Sequence, residues 1–139
     1  MTGQYRMNND KVFKASNVRR EHPVYSLIAD GLSTVDQLKY VKIYKGRILA
    51  SNVLSDNGKK EPVVNLGEEG IIGAELLIDV DSQVVQFYSI ASSEKGCGEM
   101  MVKSVVDTVP VDWKIAVVMD WSHGFWEVMV QRYPKLIVF

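Results

Sequence analysis

The sequence predicts one layered α/β domain with a mixed sheet, on three observations. Residues 40–90 hold short apolar or alternating runs separated by glycine, asparagine and aspartate, the pattern of consecutive strands. Two later windows, Met101–Val109 and Phe125–Tyr133, repeat apolar residues at helical spacing instead. Each follows an apolar run, Val84–Ile90 and Trp113–Met119, so strand and helix alternate toward the C-terminus.

Taken in order, Met1–Asp10 is polar and reads as a loose arm ahead of a domain spanning residues 11–139. Lys11–Lys14 suits a short first strand, and Asn17–Glu21 a charged connection. His22-Pro23 marks a helix start, because proline is tolerated in the first turn; Val24, Leu27, Ile28 and Leu32 then share one face. Thr34 and Gln37 have capping-box spacing, which predicts a second short helix over Val35–Leu38. Tyr40–Tyr44 and Arg47–Leu54 form a hairpin through Lys45-Gly46, and Asp56-Asn57-Gly58 signals another turn. Val63–Leu66 and Ile71–Val80 are further strand candidates. Pro110 stops the helix that follows Gly98, Ser122 is placed to cap the last helix, Pro134 ends it, and Leu136–Phe139 is a terminal strand.

Composition narrows the function classes. With 139 residues the chain can bury about two thirds of its unfolded surface in one domain. Sixteen basic residues against seventeen acidic ones argue against general binding of nucleic acid or anionic membrane. A single cysteine, Cys97, forbids an intramolecular disulfide, and two distant histidines do not make a structural zinc site. No apolar run approaches the roughly 20 residues of a membrane span, and the first residues lack the apolar stretch of a signal peptide, so a cytoplasmic protein is expected.

The chemistry concentrates in Ser93-Glu94-Lys95-Gly96-Cys97-Gly98-Glu99, a glycine turn between strand and helix. Such a turn presents backbone N–H groups at the helix's positive end, where a phosphate can approach closely. The same glycines also suit a tight turn that binds nothing. His123 has the ordinary titration range for proton transfer near neutrality, and Glu75, in a strand run, is placed to serve as a base. Cys97 reads as an acyl acceptor, a redox switch or a packing residue; Trp113, Trp121 and Trp126 line a groove or fill the core.

This order of elements, with the turn at Ser93–Gly98, resembles the GNAT superfamily of acyl-CoA-dependent N-acyltransferases. The family pattern is Arg or Gln, two residues, Gly, one residue, then Gly or Ala; both glycines match and Ser93 stands at the first position. The resemblance implies a mostly antiparallel sheet flanked by helices. It implies a pyrophosphate of acetyl-CoA held by the N–H groups of Glu94, Lys95, Gly96, Cys97 and Gly98, with the backbone at Tyr88 and Ile90 holding the thioester arm. It further implies direct attack by an amine of unnamed class. The family's tyrosine acid would fall on Met129 if the last helix starts at Ser122, which leaves His123 or Tyr133 for that role. A second likeness is to small GNAT-like proteins of short-tailed phages, including an internal virion protein, carried by the Tyr44–Leu49 hairpin, the Ser122-His123 step and the ending Leu136–Phe139. It implies the alternative of an inactive binding protein with a protein partner. The terminal strand also offers an edge to a second copy.

Overall fold

The computed structural model describes residues 11–16, 18, 22–56, 58, 60–64, 69–92, 96–117 and 124–138. The expected arm, Met1–Asp10, lies outside them. Seven strands form one sheet whose spatial order is the chain order: β1 (Val12–Lys14), β2 (Tyr40–Tyr44), β3 (Arg47–Ser51), β4 (Gly73–Asp79), β5 (Val84–Ala91), β6 (Lys114–Val117) and β7 (Leu136–Val138). Three helices interrupt them, α1 (Pro23–Ser33), α2 (Cys97–Thr108) and α3 (Phe125–Arg132).

The expectation of a mostly antiparallel sheet is corrected. The β2–β3, β3–β4 and β4–β5 ladders are antiparallel, whereas β1–β2, β5–β6 and β6–β7 are parallel. The cause is that each helix returns the chain to a neighbouring strand in the same direction, as a crossover must. Nor do helices flank both faces. The main buried cluster draws Val41 and Ile43, Ile48 and Ala50, Leu76 and Ile78, Val85 and Phe87, Ile115 and Val117 from the strands. Register places all of them on one face, where they meet Ile28 and Leu32 of α1, Met101 and Val105 of α2, and Trp126 and Met129 of α3. The domain is therefore two layers, helices on one side of a sheet.

Local signals explain the helices. Pro23 opens α1, and the His22 ring accepts a hydrogen bond at Nδ1 from the Val24 N–H (3.1 Å). Lys11 caps the other end, its ammonium donating to Ser33 O (2.9 Å). Helices α1 and α2 approach closely because Gly31 has no side chain: a methyl there would lie 2.8 Å from Ser104 O. The short helix expected over Val35–Leu38 does not form. Thr34 instead ends α1 with helical dihedrals (φ −76°, ψ −13°), not the extended ones of a residue that caps a following helix, and its hydroxyl donates back to Gly31 O (2.6 Å). Val63 and Val64 lie outside any strand, although the Val63 N–H donates to Val53 O (2.9 Å) beside an isolated bridge of Pro62 to Leu54; Asn65 and Leu66 lie outside the described residues. The last helix begins at Phe125 behind Gly124, whose φ of 90° suits glycine, and not behind Ser122, which lies outside the described residues. No helix among the described residues is long and apolar enough to cross a membrane.

Candidate functional site

Of the expected site residues, Glu94, Lys95 and His123 lie outside the described residues, as do Ser93, Trp121 and Ser122. Tyr88, Ile90, Gly96, Cys97, Gly98 and Glu75 can be placed.

Strand β5 is the organising element. Its first half pairs on both sides, with β4 and with β6, up to Phe87, which faces Leu76 on one side and Val117 on the other. A bulge then inserts Tyr88, so that Phe87 pairs with Leu76 and Ser89 with Glu75. Bulges bend a strand and re-aim its side chains. Tyr88 is 62% exposed. Beyond it, Ser89, Ile90 and Ala91 continue along β4, while among the described residues they have no partner on the β6 side. Among the described residues that half of the strand therefore has backbone polar groups without a ladder partner on one side.

The chain leaves that edge and enters α2 through Gly96, with φ 91° and no side-chain cap. Nothing lies near the position of its missing side chain, so conformation alone explains the residue. As the residue leading into α2, Gly96 offers no side chain of its own to the helix's first N–H groups. Gly98 differs: a methyl there would stand 2.9 Å from Cε1 of Phe125, so its bareness lets α3 pack against α2. Cys97 is buried at the first position of α2, which favours packing over reactivity.

Glu99, a carboxylate in the first turn of α2, is drawn toward α3. Its carboxylate accepts from the guanidinium of Arg132 and from the hydroxyl of Tyr133 (2.7 Å), at the far end of α3. That hydrogen bond, helped by burial, raises the pKa of Tyr133 and makes it a poorer acid. Met129 belongs to the core. The aromatic residues divide likewise: Trp126 packs at 5.1 Å from Phe87, and Trp113 at 5.7 Å from the His22 ring, so both are structural.

Glu75 sits on the opposite, helix-free face of the sheet, beside the bulge. It accepts from Arg47 Nη1 (3.1 Å), and the Arg47 guanidinium lies 4.4 Å from the centre of the Tyr44 ring. The ammonium of Lys42 lies 5.1 Å from the centre of the same ring and 5.6 Å from that of Phe13. Tyr44 donates to Glu61 Oε2 (3.0 Å), from the loop that follows β3. Burial, then that hydrogen bond, pushes the Tyr44 pKa well up. This ladder of charge and ring was missed from sequence. The alternation of Lys42 and Tyr44 with Val41 and Ile43 was the available signal, since period two puts polar and apolar residues on opposite faces.

Among the described residues there is no group of His, Cys, Asp and Glu arranged to hold a metal ion. No family model matches the chain, and no curated protein or solved structure does either.

Proposed function

We propose that the chain is a GNAT-like N-acetyltransferase that binds acetyl-CoA along the open edge of β5 and transfers its acetyl group to an amine. The observation that carries this reading is that, among the described residues, β5 has no partner on the β6 side after Phe87, shortly before α2, whose leading Gly96 has no side chain to cap it. An unpaired edge accepts an extended arm as an added strand, and a free helix N-terminus accepts a phosphate. Acetyl-CoA, when bound, supplies an activated thioester. The backbone at Tyr88 and Ile90 would orient the acyl carbonyl, and the first turn of α2, from Gly96 to Gly98, would face the pyrophosphate. Glu75 beside the bulge is the described group suited to take the amine's proton, and His123 remains the expected acid.

Isothermal titration with acetyl-CoA tests this directly. Micromolar binding is expected, weakened about tenfold by Met100→Glu, which adds a charge to the exposed first turn of α2. Absence of binding at millimolar acetyl-CoA would remove the reading. Substitution at Gly98 is unsuitable as a block, because it would disturb Phe125 first.

A second reading, an inactive GNAT-like binding protein of phage type, draws support from one observation. Both described proton carriers are engaged, Glu75 by Arg47 and Tyr133 by Glu99. It predicts acetyl-CoA binding without amine-dependent release of CoA, and a copurifying protein partner.

A further inference from the structure

The helix-free face carries a cleft of about 520 Å³ at the hairpin end of β4 and β5. Leu77, Val84 and Gln86 form its floor, with Asp79 and Ser82 at its rim. That volume is in the range of small-molecule sites. Register joins the cleft to the bulge. Glu75, Leu77 and Asp79 alternate along one face of β4, opposite Ser89, Gln86 and Val84. A lane therefore runs from the cleft toward Glu75 and Tyr88, over about 13 Å of strand.

The chemistry along β4 is acid, apolar, acid, with Arg47 of β3 paired beside Leu77 and turned to Glu75. Each carboxylate is only half used by the protein. Asp79 Oδ1 accepts from the Ser82 N–H (3.1 Å), and Glu75 Oε2 from Arg47; the second oxygen of each has no partner among the described residues. Between them lie the Leu77 side chain and, across the ladder, the stem of Gln86. We infer that this lane binds an aliphatic α,ω-diamine, with one nitrogen at Asp79, the alkyl chain on Leu77 and Val84, and the other nitrogen at Glu75. A monoamine would satisfy one carboxylate. An amino acid would set its own carboxylate against Asp79. The inference names the acceptor class for the proposed transferase and rests on that reading for its chemistry, but the binding itself requires no acetyl-CoA.

The test is amide NMR of the full chain at low ionic strength without acyl donor, titrated with hexamethylenediamine, hexylamine or ε-aminocaproate. The diamine should move the amides of Leu77, Asp79 and Gln86 saturably and bind most tightly, with aminocaproate weakest. Asp79→Asn, which keeps an acceptor for Ser82, should weaken the diamine by about three- to fivefold, the size of a partly exposed ion pair, and bring it close to hexylamine on the same variant. Val84→Lys should abolish the diamine's shifts. No movement of cleft amides at high millimolar diamine, equal affinity for all three probes, or indifference to Asp79→Asn would overturn the site. Diamine binding by a chain that ignores acetyl-CoA would uphold the site and remove the transferase. Acetyl-CoA binding by a chain that ignores the diamine would remove this inference alone.

Discussion

The two faces of the sheet are built from the same strands yet follow opposite rules. On the helix side Ile43, Ile48, Leu76 and Ile115 are shut away from solvent within one apolar cluster. On the other side the alternate residues are Lys42, Tyr44, Arg47 and Glu75, held by hydrogen bonds and by cations stacked on rings. Stability resides in the first face, because burying an aliphatic side chain contributes about 1.5–3 kcal/mol, against about 1 kcal/mol or less for a partly exposed ion pair. The second face is consequently free to carry chemistry at little cost to folding.

The sharpest way to break the contrast uses adjacent residues of β4. Leu76→Ala should lower unfolding free energy by about 2–5 kcal/mol, as a cavity in the sealed core. Leu77→Ala, one residue on and facing the other way, should cost about 1 kcal/mol, the smaller loss expected of a half-exposed side chain. Urea unfolding followed by tryptophan fluorescence measures both, and equal losses would refute the division into faces.

A smaller effect separates the two turn glycines. Gly98→Ala should cost about 1–3 kcal/mol through collision with Phe125, and Phe125→Leu should relieve part of it in a double-mutant cycle. Gly96→Ala should cost about 1–2 kcal/mol through its positive φ, with no rescue from Phe125→Leu.

The smallest effect lies on the polar face and appears in alkali. Tyr44 ionises less readily when folded than at its ordinary pKa of 10.0, so its contribution is complete below that pH and is lost as pH rises beyond it. Tyr133 acts in the same direction. Tyrosinate absorbance should show Tyr44 lagging the other tyrosines, and Glu61→Gln should advance it. Simultaneous ionisation of all six tyrosines in the folded chain would contradict the Tyr44–Glu61 bond.

Much of the layer order was legible because its signals are local. Period two and Gly46 mark the β2–β3 hairpin, and His22-Pro23 marks the start of α1. The Val35–Leu38 helix failed because capping-box spacing does not report backbone conformation; Thr34 takes helical dihedrals at the end of α1, where a forward cap needs extended ones. The ratio of parallel to antiparallel ladders was misjudged because pairing direction is a property of where a helix returns the chain. At the candidate site, the glycines were visible but their reasons were not: Gly98 answers to Phe125, some twenty-seven positions away. The bulge at Tyr88 has no local marker, since it is defined by what β4 does opposite it.

The strand order has a kinetic consequence. Because every strand pairs with its successor in the chain, no paired residues are more than thirty positions apart, a separation reached by Arg47 with Leu77 and by Val84 with Lys114. Each new ladder closes only a short loop, so the entropy of closing the sheet is met in small instalments, whereas the packing of Gly31 in α1 against Ser104 in α2 joins distant segments. During synthesis the sheet can grow one strand at a time from β1 onward, each addition templated by an edge already in place.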